Sequence, residues 1–387
     1  MKRIAPLFAL AALAACSDVS QAPVAAAEGA PVLSVSGAIA DQYIVVLNEG
    51  ANARSVAAVA GVSPAYVYSA ALNGFAATLN RGQLTALRSN PAVAYIEQDA
   101  VVSHTATQAG ATWGLDRTDQ RNLPLSTTFT YTATGLGVNA YIVDTGIKLG
   151  HVEFTGRLGS GFDAVTSGGS GDDCNGHGSH VAGTVGGTIS GIAKAVTLYP
   201  VRVLNCSGSG TNAGVIAGID WVTANHVKPA VANMSLGGGA STAVDAAVNN
   251  LINAGVATVV AAGNGNQGGR QQPACNYSPA RVPNAITIGA TNSSDVKASW
   301  SNYGDCVDFF APGVSITSAW YTSNTAGATI SGTSMAAPHV AGVAALHLQG
   351  NPNDNAIQVR DALYAKTTKN IVTSSSTANN HLLFSDY

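Results

Sequence analysis

The protein is a chain of 387 residues, of which 46% are hydrophobic and only 10% are charged, with a net charge of −3. This length is enough for one large domain and a smaller one, and the low charge with many apolar residues excludes a disordered chain. The weak negative charge and the lack of a Lys/Arg cluster exclude a basic nucleic-acid-binding surface.

The N-terminus carries a secretion signal. Lys2 and Arg3 precede an apolar run over residues 4–15, which is too short to span a bilayer. The sequence Leu-Ala-Ala-Cys at 13–16 resembles a bacterial lipoprotein signal, in which Cys16 would carry the lipid. An ordinary small-residue cleavage site is the alternative. Under either interpretation residues 1–16 direct the chain to the cell envelope or the medium.

Two units follow the signal. Residues 17–40 are rich in Ala, Ser, Pro and Val and predict a flexible linker. Residues 41–105 alternate short apolar strands with helical stretches and predict a small α+β domain. Its expected strands lie at 43–47, 74–79 and 93–97, and its helices at 51–60 and 83–89.

The remainder, residues 106–387, predicts a larger α/β domain. The candidate strands lie at 138–143, 196–204, 231–236, 256–262 and 285–288, and the candidate helices at 177–188, 211–225, 241–254, 335–348 and 355–366. Near-continuous apolar strands alternating with helices are typical of a doubly wound, mostly parallel sheet with helices on both faces. Ligands bind such sheets at the carboxyl ends of the strands.

Four polar residues fall at strand ends or helix starts. Asp144 ends a strand, Asn264 follows another, His177 opens a helix and Ser334 precedes one. Taken alone, Ser334 is a helix cap and Asp144 a turn residue. His177 and His180 suggest zinc, but neither a His-Glu-x-x-His motif nor a third soft ligand accompanies them.

Together these residues suit acyl transfer. The reaction needs a nucleophile, a base, an acid that orients the base, and donors to the oxyanion, and the four residues supply one of each. The chain order Asp, His, Ser is that of subtilisin and excludes the Ser, acid, His order of α/β-hydrolases.

The surrounding motifs identify a family. Asp-Thr-Gly at 144–146, His-Gly-Ser-His-Val-Ala-Gly at 177–183 and Gly-Thr-Ser-Met-Ala-Ala-Pro-His-Val-Ala-Gly at 332–342 resemble the three signatures of subtilisin-like serine proteases. Residues 231–239 and 276–280 narrow the resemblance to the proteinase K subfamily and its aqualysin-type bacterial members. Residues 43–104 resemble that family's inhibitor-like propeptide.

The resemblance implies a role for each residue. Ser334 is expected to attack the scissile carbonyl, His177 to take and return its proton, and Asp144 to fix the imidazole tautomer. Asn264 and the backbone N–H of Ser334 are expected to stabilise the oxyanion. The protein is then a monomeric, secreted endopeptidase that cuts itself just before Ala106, with the propeptide as folding template and inhibitor.

Disulfides are expected because four cysteines remain after Cys16 in an exported chain. The count alone leaves three pairings open. The resemblance implies Cys174 with Cys206 and Cys275 with Cys306.

The resemblance also implies two structural calcium sites built from oxygen ligands. The first combines Asp308 with the backbone carbonyls of Pro283 and Ala285. The second combines the side chains of Asp116, Asp119 and Gln120, for which a solvated pair of aspartates in a surface loop is the alternative.

The substrate is expected to be an extended polypeptide. It would pair as an added strand with a segment of small side-chain bulk and enter an uncharged pocket. The residues expected to bind it are Ser235, Leu236, Gly237, Ala261, Ala262 and Gly263. Lack of charge predicts a broad preference for apolar or aromatic residues before the cut. The alternative function is an inactive, secreted binding protein, which would be expected to have lost one of the four catalytic residues.

Overall fold

The computed structural model describes residues 29–35, 38–100, 105–266 and 268–387. The chain falls into two compact units, with the boundary between residues 103 and 104. The predicted signal at 1–16, with Cys16, lies outside the described residues, as do most of the predicted linker and part of the segment before the predicted cut. Among the helices described, none is both long enough and apolar enough to cross a membrane.

In its described residues, the N-terminal unit is a five-stranded sheet with two helices. Its elements are β1 (Val32–Leu33), β2 (Ala38–Leu47), α1 (Ala53–Val59), β3 (Tyr66–Tyr68), β4 (Gly74–Thr78), α2 (Arg81–Arg88) and β5 (Val93–Ala100). The strands lie in the order β1-β5-β2-β4-β3, and β2 runs antiparallel to both of its neighbours. The structure differs from the predicted linker at β1 and at the start of β2. Val32 and Leu33 are ordered because they pair with the edge of β5.

Asparagine side chains determine where the two helices of this unit begin. Asn52 and Asn80 each accept a backbone hydrogen bond from the first turn, and Gln83 bonds back to the Asn80 N–H in a capping box. Both helices cover a core that includes the fully buried Phe75 and Ile96.

The second unit contains thirteen strands and six α-helices among its described residues. They are β6 (Ala106–Ala109), α3 (Trp113–Thr118), β7 (Thr128–Tyr131), β8 (Asn139–Asp144), β9 (Phe162–Asp163), α4 (His177–Gly186), β10 (Thr197–Arg202), α5 (Asn212–Asn225), β11 (Ala230–Met234), β12 (Gly238–Gly239), α6 (Thr242–Asn253), β13 (Ala257–Ala261), β14 (Tyr277–Ser278), β15 (Ile286–Thr291), β16 (Phe309–Pro312), β17 (Ile316–Ala319), β18 (Gly327–Ile330), α7 (Thr333–Gly350) and α8 (Ala356–Lys366). Two 3₁₀ helices lie at Val152–Phe154 and Ala274–Asn276.

Seven parallel strands form the central sheet of this unit, in the order β16-β15-β13-β11-β8-β10-β9. The prediction of a parallel, doubly wound sheet is confirmed. In β8 every residue is buried, and successive side chains enter opposite cores. Ala140 and Ile142 pack in the core with α4 and α7, whereas Tyr141 and Val143 pack with α5 and α6. This two-sided burial is why the strand sequences are almost continuously apolar.

Candidate active site

An aspartate and a histidine meet at the carboxyl edge of the sheet. Asp144 is the last residue of β8 and is fully buried, while His177 is the first residue of α4. His177 Nδ1 lies 2.7 Å from Asp144 Oδ1. Because the carboxylate can only accept, Nδ1 carries the hydrogen, and Nε2 is left with a free lone pair.

The environment of His177 tunes its pKa. Burial disfavours the charged imidazolium, but the charge and hydrogen bond of Asp144 outweigh it, and the pKa is raised above its ordinary value. The charge of Asp173 acts in the same direction. The side chain of His177 is 27% exposed, so its ring reaches the cleft. This is the arrangement of a base that takes up a proton and is stabilised once it is charged.

Asp173 organises the loop that carries the histidine. Its Oδ1 accepts from Thr145 Oγ1 and from the N–H groups of Asn175 and Gly176, at 2.9–3.0 Å. Its Oδ2 accepts from both the N–H and the hydroxyl of Ser179, at 2.9 and 2.6 Å. One buried carboxylate thus ties the end of β8 to the first turn of α4. Asp173 could not be predicted from the sequence, since only its contacts distinguish it from its neighbour Asp172.

Ser334 is the second residue of α7 and is partly exposed, between two buried neighbours. Its hydroxyl donates to the carbonyl of Ser235 at 3.1 Å, and Ser235 Oγ donates to the carbonyl of Ser334 at 2.8 Å. The hydroxyl therefore does not bond to His177 in this structure. Catalytic hydrogen bonds of this kind often form only when substrate is bound. The Ser334 N–H belongs to the first helical turn, where it lacks an intrahelical acceptor.

Asn264 lies beside Ser334 with a fixed amide orientation. Its Oδ1 accepts from both the N–H and the hydroxyl of Thr333, at 2.8 and 2.9 Å. Because the oxygen is held by two donors, the Nδ2 amine is the end left to donate. Gly263 donates to the same hydroxyl at 3.0 Å. Thr333 therefore positions the amide, a role that was not predicted from the sequence.

A second asparagine supports this loop. Asn302 Nδ2 donates to the carbonyl of Ala262, while its Oδ1 accepts from Gly265 and Gln272. Gly263 has φ +99°, and a Cβ there would lie 2.5 Å from Asn302 Nδ2. Only glycine allows this close approach without strain.

Ser334 and Asn264 line a cavity of about 230 Å³, and none of the described residues that line it carries a charge. Five of the six residues expected to bind substrate line this cavity: Leu236, Gly237, Ala261, Ala262 and Gly263. His177 lines an adjoining cleft of about 560 Å³, and the shared wall includes Leu236, Gly237, Gly238 and Ser278.

The segment at 235–238, which is expected to pair with substrate, has an exposed part and a buried part. Gly237 and Gly238 are exposed, and β12 pairs with β14. Ser235 is only 3% exposed and receives a hydrogen bond from Asn233 Nδ2 as well as holding Ser334. Its side chain anchors the helix start, so only its backbone is placed to meet a peptide.

The two disulfides join Cys174 to Cys206 and Cys275 to Cys306. These are the pairs that the family resemblance implied. The first lies three residues before His177 and links the loop of Asp173 to the segment after β10.

The other histidines of the two motifs are scaffold residues. His180 Nε2 bonds to the carbonyl of Ile316, and His339 Nδ1 bonds to the carbonyl of Met335. Burial lowers the pKa of each to about 4, so both are neutral at pH 7. Over the ranges that the structure describes, His, Cys, Asp and Glu side chains form no cluster of three that could hold a metal. This does not support the zinc alternative.

The two expected calcium sites differ in how well their residues fit the ion. At the first, Asp308 and the Pro283 carbonyl already accept hydrogen bonds from Arg360, so the set does not fit. At the second, Asp119 Oδ1 is buried and has no hydrogen-bond partner among the described residues, as a cation ligand would. Burial raises the pKa of Asp119 to about 6, and the charge of Asp116 adds to this. The unpartnered Oδ1 and the raised pKa both mark Asp119 as an uncompensated buried carboxylate that fits a cation ligand. Both oxygens of Asp116, in contrast, already accept hydrogen bonds from Ser126 and Thr127.

The fold and the site together define a serine hydrolase built on a parallel α/β sheet. Residues 135–384 match the subtilase family, and residues 42–105 match the peptidase inhibitor I9 family. The first match covers more than half of the chain, and the chain therefore belongs to the subtilase family.

Two relatives that are similar to this chain over at least 90% of its length are proteases. An extracellular serine proteinase of Thermus sp. (strain Rt41A) is 55% identical over 97% of this chain and 97% of its own length. Alkaline serine exoprotease A of Vibrio alginolyticus is 49% identical over 90% of this chain and 68% of its own length. A crystal structure of a cold adapted subtilisin-like serine proteinase has a TM-score of 0.68 and 53% identity, covering 72% of this chain and 99% of that one. The chain is a serine endopeptidase, a subtilase of the proteinase K type with an I9 propeptide.

Proposed function

We propose that the chain hydrolyses peptide bonds with Ser334 as nucleophile, His177 as general base and Asp144 as the residue that orients the base. The observation that carries this proposal is the 2.7 Å contact between Asp144 and His177 Nδ1, which leaves Nε2 free as the base. Ser334 at the start of α7 and Asn264 with its fixed amide line the adjoining cavity.

The proposed reaction begins with the hydroxyl of Ser334. Ser334 Oγ attacks the carbonyl carbon while its proton moves to His177 Nε2, and Asp144 stabilises the resulting imidazolium. The oxyanion accepts hydrogen bonds from Asn264 Nδ2 and the Ser334 N–H. The imidazolium then protonates the leaving amine as the peptide bond breaks. Water, deprotonated by His177, releases the acyl group and restores Ser334.

Asn264→Ala is expected to lower kcat by about 10²–10³-fold with little change in KM, the loss established for the corresponding asparagine of subtilisin. The donor acts on charge that develops only in the transition state, so ground-state binding is retained. Steady-state kinetics on a chromogenic peptide measure this. Asn266→Ala, in the same loop, is the control and should change kcat little. A loss confined to KM would make Asn264 a substrate-binding residue.

The uncharged cavity of about 230 Å³ supports a preference for apolar or aromatic residues before the cut. We expect peptides with Phe, Tyr or Leu at this position to have higher kcat/KM than otherwise identical peptides with Lys, Arg or Asp. A charged side chain would lose its hydration there without gaining a partner. A panel of such peptides measures the preference, and a maximum at Lys or Arg would contradict the assignment of this cavity as the specificity pocket.

The enzyme is secreted and is made with an I9 propeptide. We propose a self-processing zymogen that cuts just before Ala106, with the propeptide as intramolecular inhibitor and folding template. The new N-terminus would then begin β6, which pairs with β7. If Cys16 is lipidated, the cut removes the lipid with the propeptide and releases the protease from the membrane.

A structural calcium ion is proposed at the second ligand set. Asp116, Asp119 and Gln120 would hold it, with Asp119 Oδ1 as the available carboxylate oxygen. The bound ion would neutralise two neighbouring carboxylates at the end of α3.

A further inference from the structure

An arginine side chain occupies the place of the calcium ion expected at Asp308. Arg360 lies in α8, and its guanidinium donates to Asp308 Oδ1 from Nη2 at 2.6 Å and from Nε at 3.2 Å. Its Nη1 donates to the carbonyl oxygen of Pro283 at 2.8 Å. These acceptors are two of the three ligands expected for calcium, the third being the carbonyl oxygen of Ala285.

Apart from the Ala285 carbonyl, the oxygens expected to bind calcium already accept hydrogen bonds. The second oxygen of Asp308 accepts from the Thr287 N–H at 2.8 Å, so both carboxylate oxygens are bonded. The side chains of Asp308 and Arg360 are only 12% and 28% exposed. A calcium ion needs about six to eight oxygen ligands. Here it would compete with the guanidinium for the same oxygens and meet its positive charge at short range.

We infer that Arg360 replaces calcium in this subtilase and that the Asp308 position does not bind the ion. A guanidinium keeps its charge at any working pH and matches a carboxylate and a carbonyl with several donors at once. It joins α8 to the segments that precede β15 and β16. Because the guanidinium belongs to a side chain of the protein, a chelator cannot remove it.

The inference is independent of the proposed catalytic roles. The cavity at this position is lined by residues that include Arg281, Asp305 and Cys306, and it contains none of the four proposed catalytic residues. Its test can therefore be made on protein without proteolytic activity.

The test compares Arg360→Ala with its parent, both carrying Ser334→Ala to prevent self-digestion. After chelation and dialysis, calorimetric titration counts bound calcium, and thermal unfolding is followed with chelator and with millimolar calcium. We expect Arg360→Ala to bind one calcium ion more per chain than the parent. With chelator its melting temperature should be a few degrees lower, and calcium should restore most of that difference.

Two variants serve as controls. Arg281→Ala removes a similar pair, with Asp245 at 2.6 Å and with 33% and 15% of the two side chains exposed. It should lose stability without gaining a calcium ion. Adding Asp308→Asn to Arg360→Ala should abolish the additional ion, since the new site depends on that carboxylate.

Two results would overturn the inference. One is equal calcium stoichiometry in the parent and in Arg360→Ala. The other is a lower stoichiometry in the parent after Asp308→Asn alone, because the position would then hold calcium despite Arg360. The second measurement remains decisive if Arg360→Ala does not fold. The ion proposed at Asp119 would be common to every variant and would not alter the differences.

Discussion

Ser334→Ala is expected to lower kcat by about 10⁶-fold, the magnitude established for the same change in subtilisin itself. The alanine has no oxygen to form the acyl-enzyme, while Asn264 and the helix N–H still offer hydrogen bonds to the carbonyl. The residual rate should therefore stay above that in water by about 10³–10⁴-fold. Because maturation uses the same chemistry, the variant should also accumulate as an uncleaved precursor. Chromogenic peptide hydrolysis and the intact mass of the secreted protein measure both effects.

A neighbouring serine provides the matched control. Ser331 is exposed three residues earlier, and its hydroxyl accepts from the Ser315 N–H at 2.8 Å, outside the two active-site cavities. Ser331→Ala should mature and cleave peptide at close to the parent rate. Efficient maturation of Ser334→Ala in the absence of any other protease would contradict self-processing by this serine.

Asp144→Asn is expected to lower kcat by about 10⁴-fold, as the equivalent substitution does in chymotrypsin-like enzymes. The substituted amide can donate to His177 Nδ1, which then becomes the acceptor. The hydrogen moves to Nε2, the atom that must take the proton from Ser334. The imidazolium also loses its stabilising charge. KM should change far less, since Asp144 is buried and does not face the substrate cavity of about 230 Å³.

The pH profile separates this electrostatic role from a packing role. In the parent, kcat/KM should rise with pH as His177 loses its proton, with a midpoint above the ordinary histidine value because the folded pKa is raised. In Asp144→Asn the charge that raises this pKa is lost while burial still lowers it, so the midpoint should move to lower pH. Asp172→Asn, at a half-exposed carboxylate paired with Lys148, is the control and should leave the midpoint in place. An unchanged midpoint in Asp144→Asn would contradict the assigned role.

The long strands and helices of the large unit could be predicted from the sequence. A strand that is buried on both faces leaves a continuous run of apolar residues. All five predicted strands and five predicted helices of the large unit are present, each within a few residues of its predicted bounds. Short strands such as β9, β12 and β14 have only two residues each and carry no period to detect. The hairpin of β17 and β18 was missed for a similar reason, since each strand has four residues.

The positions of Asp144, His177, Asn264 and Ser334 could be predicted from general rules of α/β folds. The carboxyl ends of parallel strands and the N-termini of the helices that follow them lie at the same edge of the sheet. The residues that orient these four side chains could not be predicted. Thr333 and Asp173 act through hydrogen bonds whose partners are fixed only by tertiary packing. Arg360 lies 52 residues from Asp308, and no local pattern links the two. The family resemblance implied the calcium ligands at Asp308, Pro283 and Ala285, whereas the competing cation comes from a distant helix.

The most direct measurement is peptide mapping by mass spectrometry after reaction with a serine-directed covalent inhibitor such as a sulfonyl fluoride. The inhibitor reacts with a serine that has an adjacent base and oxyanion donors, so it reports the activated nucleophile itself. The account predicts one modification per active chain, on Ser334, formed in parallel with loss of activity and greatly slowed in His177→Ala. Modification of another serine, or complete inactivation with Ser334 unmodified, would contradict it.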